Sequence, residues 1–241
     1  MQRNKGFYYA VFLTLMGIVF ILVMLFLTRH GKTSVVKSGS ADLSSWDFDL
    51  EGNVKLDGGW EFYWNQLIKP EEFDQARYIR TGYYKVPMYW TKYSKLGLPS
   101  KGNATYRLVI KTKGKEHTLS LKTPEIYTEY CLWINGQAVD GNGSLWKGGK
   151  KYLKPNVYTF STSHNQVEIV LQIKNNSHIN AGLGQSFLLG TPNHIYENRM
   201  GGVARDIIVM TICFLVGIYH MILYGYRRYE RSLIYLAMIA M

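Results

Sequence analysis

The chain has 241 residues, of which 47% are hydrophobic and 15% aromatic, with 28 Lys and Arg against 17 Asp and Glu for a formal charge of +11. Two cysteines exclude a disulfide-stapled mini-protein, so a domain of this size must rest on an apolar core. Much of the basic excess (Arg3, Lys5, Arg29, Arg205, Arg227, Arg228 and Arg231) flanks apolar stretches, and no nucleic-acid partner is expected of a body outside the cell.

From the amino terminus, Arg3 and Lys5 precede Phe7 to Leu27, which carries no charge. The run is longer than the apolar region of a signal peptide, and Thr28, Arg29, His30 and Gly31 offer no small-residue cleavage site. Residues 1–28 therefore read as a short cytoplasmic end and an uncleaved signal-anchor helix. Residues 29–45, rich in Gly, Ser, Lys and Val without a period, read as a flexible tether to a domain at 46–192.

Within that domain, Asn53 to Asp57 and Gly59 to Trp64 read as short strands joined by a turn at Asp57-Gly58-Gly59. Pro70 to Ala76 fits a turn or two of helix, Tyr78 to Trp90 is extended, and Lys92 to Gly102 is a loop. Tyr106, Leu108 and Ile110 alternate with Arg107 and Lys111, the period-two pattern of a half-buried strand. Leu119 and Leu121 repeat it. Tyr130, Leu132 and Ile134 oppose Cys131 and Trp133, and Asn135-Gly136 predicts a tight hairpin into Gln137 to Asp140. Gly141 to Lys151 is a glycine-rich basic loop, and Val167, Ile169, Leu171 and Ile173 form the last inward face. Short strands with turn chemistry between them predict a mainly β, antiparallel two-sheet sandwich.

A connector at 193–206 leads to Ile207 to Tyr226, whose only ionisable group besides tyrosines is His220. At ~1.5 Å per residue this stretch spans a ~30 Å hydrocarbon core as a helix. Arg227, Arg228 and Arg231 in the turn 227–232 place that end in the cytoplasm and residues 29–206 outside, in a multi-pass arrangement. Leu233 to Met241 is too short to cross, so it is expected to begin a further span continued elsewhere.

The segments Leu56-Asp-Gly-Gly-Trp60-Glu-Phe-Tyr-Trp64, Tyr130-Cys-Leu-Trp-Ile-Asn135-Gly136 and Val167 to Leu189, with Asn175, Asn176, His178, Gly182 and Gly190, resemble bacterial seven-transmembrane receptors with diverse intracellular signalling modules. The resemblance covers about Trp46 to Met241. It implies an extracellular galactose-binding-like jelly roll flanked by transmembrane α-helices, a small extracellular ligand of the carbohydrate class, and a cytoplasmic output such as a histidine kinase or cyclase. Two alternatives stay open: a membrane-tethered carbohydrate-binding or adhesion module without signalling, and a cell-surface glycan-acting enzyme.

Sugar sites combine aromatic faces with amides and charges that meet hydroxyls. Trp90, Trp146, Lys147, Tyr152, Asn175, Asn176 and His178 are the ligand-binding candidates because they fall in or beside loops. Loop anchoring is the plainer role for Trp146, and turn formation for Asn175 and Asn176. Trp60, Trp64 and Trp133 read as packing residues. His117, His164, His178 and His194 lack metal-ligand spacing, and no nucleophile with a base can be assembled, so neither a cofactor, a metal nor catalysis is expected. Glu61, Glu125, Glu129 and Asp140 contain the carboxylates a glycosidase pair would need, without a pattern that links two of them. The bilayer is the other partner, and pairing of two copies through the membrane helices is left open.

Overall fold

The computed structural model describes residues 17, 32–33, 36–93, 96–113, 117–146, 156–162, 165–226, 235 and 238. The expected anchor helix, the basic turn 227–232 and the start of a further span fall outside the described residues, apart from Gly17, Tyr235 and Met238. The chain divides into two units, Gly31–Ile195 and a second formed by Met1–His30 with Tyr196–Met241.

The first unit is mainly β. In chain order its strands are β1 (Lys32–Thr33), β2 (Ser40–Asp42), β3 (Val54–Lys55), β4 (Gly58–Trp64) and β5 (Gly82–Val86), with a short helix α1 (Phe48–Glu51) before β3. There follow β6 (Met88–Tyr89), β7 (Gly102–Lys111), β8 (His117–Lys122), β9 (Glu129–Ile134) and β10 (Gln137–Asn142). The last four are β11 (Val157–Thr162), β12 (Gln166–Asn175), β13 (Gly182–Leu183) and β14 (Leu188–Gly190). One large sheet has the order β1-β3-β14-β8-β11, the other β10-β9-β12-β7-β4-β5 with β2 also on β7, and β6 and β13 form a separate two-stranded sheet. Pairings are antiparallel except β1 with β3 and β2 with β7.

The alternating residues explain why two sheets meet. Leu108, Ile110, Leu132, Ile134, Ile169, Leu171 and Ile173 from the larger sheet share one buried cluster with Val54, Leu119, Leu121 and Leu189 from the smaller. Each such side chain gains roughly 1.5–3 kcal/mol by leaving water, which neither sheet can achieve alone. Aromatic rings fill the centre: Phe62 lies 5.0 Å from Tyr106 and 5.5 Å from Tyr93, and Trp60 lies 5.4 Å from Phe187 while donating from Nε1 to the Leu56 carbonyl at 2.8 Å. Cys131, Trp133 and Val170, on the opposite face of the larger sheet, are covered by Phe73, Leu145 and Trp146. The hairpin at Asn135-Gly136 forms with φ of 50° and 78°, the positive values that this residue pair tolerates.

Two expectations are corrected. The tether at 29–45 is, from Val36 onward, part of the folded body: Val36, Ala41 and Leu43 are buried, and β2 runs along β7 from Ser40↔Val109 to Asp42↔Lys111. A nonlocal parallel partner leaves no local period, so the Gly and Ser content dominated the sequence pattern. Asp57-Gly58-Gly59 does not join a hairpin either; β3 and β4 lie in different sheets, and the glycines pass the chain between them. A Cβ on Gly58, at φ 138°, would stand 2.3 Å from the Val36 carbonyl oxygen, so this crossing requires glycine.

The connector at 193–206 is helical. One helix, α2 (Pro192–Tyr226), runs through it into the apolar stretch. Its start follows capping rules: the Thr191 hydroxyl accepts from His194 N at 3.4 Å, and Pro192 occupies a first-turn position where no N–H is needed. The segment Pro192–Ile222 is long and apolar enough to cross a membrane, and Met210, Phe214, Leu215 and Ile222 are exposed along it.

Candidate ligand-binding site

The last rungs of β9 and β12 pair Lys174 with Glu129 and Ile173 with Tyr130. Beyond them three loops converge: residues 123–128 before β9, the 3-10 turn Gly143–Leu145 after β10, and the turn after Asn175. Glu129 organises them. Its Oε2 accepts from the backbone N–H and hydroxyl of Ser144 at 2.8 and 2.5 Å, and its Oε1 accepts from the Asn176 amide at 3.1 Å. Lys174 donates from Nζ to the Ser144 hydroxyl at 3.1 Å. The turn admits this because residue 143 is glycine: a Cβ there, at φ 66°, would lie 2.4 Å from Glu129 Cγ.

Asn175 holds the neighbouring turn. Its side-chain amide donates to the carbonyls of Ser100 (2.7 Å) and His178 (2.6 Å), and its oxygen accepts from His178 N at 2.9 Å. This clamp presents His178 flat on Tyr127, with ring centroids 5.7 Å apart and planes 8° from parallel. Both rings are exposed to solvent. The Tyr127 hydroxyl donates to Glu125 at 2.7 Å, and that hydrogen bond, with the carboxylate's charge, raises the phenol above its ordinary pKa.

Behind the loops lies a buried polar group. The Tyr130 hydroxyl donates to Asp140 Oδ2 at 2.5 Å, and the Asn156 amide donates to the same oxygen at 3.4 Å. Burial first, then Asp140, pushes the Tyr130 phenol far up, and the same two causes raise Tyr158. Among the described residues, Asn142, 1% exposed and one residue before Gly143, has no hydrogen-bond partner at either side-chain atom, and Thr128 Oγ1 is equally alone.

Of the residues expected from sequence, Asn176 and His178 lie at this end of the sandwich, while Trp146 follows the Gly143–Leu145 turn and packs over the outer face of the larger sheet. Trp146 is half-buried, its indole packed where a Cβ on Gly141 would fall, 2.9 Å away. Asn175 is present but buried, with its side chain already spent on the turn, so it positions the site without offering atoms to a ligand. Trp90 is a correction: it is wholly buried, donates from Nε1 to the Pro99 carbonyl at 2.9 Å and stands edge-on to Trp64 at 5.2 Å. The 3-10 turn Trp90–Lys92 swings the ring into the core, which loop-like composition could not reveal. Lys147 and Tyr152 lie outside the described residues.

Glu129 as organiser, Ser144, Lys174 and Tyr127 were missed, because the Lys174↔Glu129 rung emerges only once register is known. The four carboxylates weighed for a glycosidase pair occupy different networks. Glu61 meets Arg80, Arg107 and Tyr63, Glu125 meets Tyr127, and Asp140 meets Tyr130. Asn142 and Asn175, each opening an Asn-x-Ser triplet, lie in the interior.

No family model and no curated protein matches the chain. Among solved structures it is similar to a glycoside hydrolase family 2 β-galacturonidase from Eisenbergiella tayi, at 12% identity and TM-score 0.41 over 58% of this chain and 24% of that one. It is also similar to Ruminococcus gnavus β-glucuronidase, at 14% identity and TM-score 0.39 over 58% of this chain and 28% of that one. A third is a family 2 member from Bacteroides cellulosilyticus, at 15% identity and TM-score 0.41 over 57% and 20%. The chain thus spans less than a third of each of these proteins, and at this distance no activity passes from them to it.

Proposed function

We propose that the sandwich is a carbohydrate-binding module, of jelly-roll type, tethered to a membrane through α2 and facing away from the cytoplasm. The observation that carries this reading is the Glu129 node: a carboxylate, a hydroxyl, an amide and an ammonium within mutual hydrogen-bond reach, beside the exposed Tyr127–His178 pair. Hydroxyl-rich ligands need such convergent donors and acceptors next to an aromatic surface. The Asn142 amide, without a partner among the described residues, supports the same end of the sandwich.

Membrane attachment rests on the length and composition of Pro192–Ile222 and on its exposed apolar side chains. Those side chains would be costly in water and are at home in lipid.

A second reading, that the module is the sensing end of a multi-pass receptor, is favoured by one feature: α2 begins in contact with the sandwich and continues unbroken into the apolar stretch. A ligand drives such a receptor only by its differential affinity for two states.

The test is a glycan-array screen with the intact chain in lipid nanodiscs. Binding to a defined glycan class, weakened in Asn176→Ala and His178→Ala at unchanged thermal stability, supports the module. Hydrolysis of a bound glycan would instead make it an enzyme, and absence of any binding would remove the carbohydrate reading.

A further inference from the structure

A cavity of about 390 Å³ opens at the other end of the sandwich from the Glu129 node. Its position follows from register: Thr112, the residue after β7, donates its N–H to Asn165 beside the rung Gln166↔Lys111, whereas the Glu129 node follows the rung Asn175↔Gly102. Nine residue steps along β12 separate those rungs, about 30 Å at the usual rise. The two sites therefore share no residue. The cavity lies between the segment carrying Trp46 and α1, the ends of β7 and β8, and Pro192 at the start of α2.

Its volume falls in the range of small-molecule sites, roughly 300–1,000 Å³, and its lining is of three kinds. Trp46, Leu119 and Pro192 give an apolar floor. Asp49 and Lys113 bring one charge of each sign, and among the described residues neither takes part in an ion pair. Thr112 is 5% exposed and, among the described residues, its hydroxyl has no hydrogen-bond partner. Rotation to another staggered χ1 well exchanges that hydroxyl with the methyl group, so a ligand could supply the missing bond. The neighbouring carboxylate of Asp47 is already engaged, accepting from Asp49 N and Leu50 N as the cap of α1.

We propose that this cavity binds a small zwitterion, of the size of a free amino acid. Its ammonium meets Asp49, its carboxylate meets Lys113, and its side chain lies on Trp46. A neutral sugar would leave both charges unmatched, while an anion or a cation alone would satisfy only one of them. The proposal stands apart from carbohydrate binding at the Glu129 node, and either can fail alone.

The test is calorimetric titration of the intact chain in lipid nanodiscs with glycine, L-leucine and L-phenylalanine. Their N-acetylated and C-amidated forms, which lack one charge each, and glucose serve as comparisons. Saturable one-to-one binding of at least one free amino acid is expected, weakened about tenfold or more in both capped forms and in Asp49→Asn and Lys113→Gln. Both substitutions fall on exposed side chains, and an unchanged thermal midpoint verifies the fold. The proposal is overturned if none of the three amino acids binds up to roughly 10 mM. Equal binding of capped and free forms, unchanged binding by both variants, or preference for glucose overturns it as well.

Discussion

His194, in the first turn of α2, lies 2.9 Å by Nδ1 from the carbonyl oxygen of Phe48 in α1. A carbonyl only accepts, so Nδ1 carries the proton. The His194 carbonyl in turn accepts from the Asn53 amide at 2.9 Å, and a Cβ on Gly190 would overlap Asn53 Oδ1. The start of the long helix is thereby fastened to the sandwich by polar bonds that sequence neighbours do not make. Replacing His194 by Ala removes one such bond and leaves the Phe48 carbonyl without its partner. The expected cost is about 1–2 kcal/mol, read as a lower thermal midpoint of the intact chain in nanodiscs.

Asn175→Ala should be more damaging. The side chain is buried and makes three hydrogen bonds that close the turn carrying His178. Losing them orphans two carbonyls and one N–H, a destabilisation of about 2–4 kcal/mol. Asn175→Asp, which keeps the acceptor but loses the donors, should recover only part of it. Equal stability of wild type and Asn175→Ala in a urea titration would show that the clamp is dispensable.

Arg107 ties the outer face of the larger sheet. It donates from Nε to Glu168 at 2.6 Å, lies 3.5 Å from Glu61 through Nη1, and sits 4.5 Å above the Phe73 ring. Arg107→Lys keeps the charge but loses the fork and the stacking, so it should cost about 1–2 kcal/mol. Arg107→Ala should cost more, since Glu168 then loses its cation and Glu61 keeps only Arg80. Indistinguishable denaturation midpoints for the two variants would contradict this assignment.

Stability should fall in alkali. Burial, the leading cause in each case, pushes the Cys131 thiol from 9.0 to about 12 and the Tyr63 phenol from 10.0 to about 12. Both groups hold their protons more tightly folded than unfolded. Their contribution is therefore intact below pH 9 and is lost as pH rises through roughly 12. A thermal midpoint that stays level to about pH 9 and declines above it is expected. Thiol-directed alkylation of Cys131 at neutral pH should be slow for the same reason.

The interior was legible in the sequence because its signals are local. Period-two alternation at Tyr106, Leu108 and Ile110, and at Val167 to Ile173, selects the buried face without reference to any partner, and Asn135-Gly136 specifies its own turn. What was hidden depends on pairing between distant segments. The segment around β2 lost its identity as a strand because its partner β7 lies far along the chain. Gly58 was read as a hairpin residue because the clash with Val36 that demands glycine is tertiary. At and beside the candidate site, Asn176, His178 and Trp146 were visible as polar or aromatic residues in loops. The carboxylate that gathers two of those loops, Glu129, was visible only as one of several acids. Trp90 shows the converse: an aromatic residue in a loop-like context can turn inward through a single 3-10 turn.

The most direct measurement is a calorimetric titration of the intact, nanodisc-held chain with the best glycan from an array, comparing wild type, Glu129→Gln and His178→Ala. The account predicts a saturable heat for wild type and an affinity about tenfold or more lower in each variant, a loss of ~1.4 kcal/mol or more, with thermal stability unchanged in His178→Ala. Glycan affinity equal in all three proteins, or no glycan heat from any of them, would contradict it.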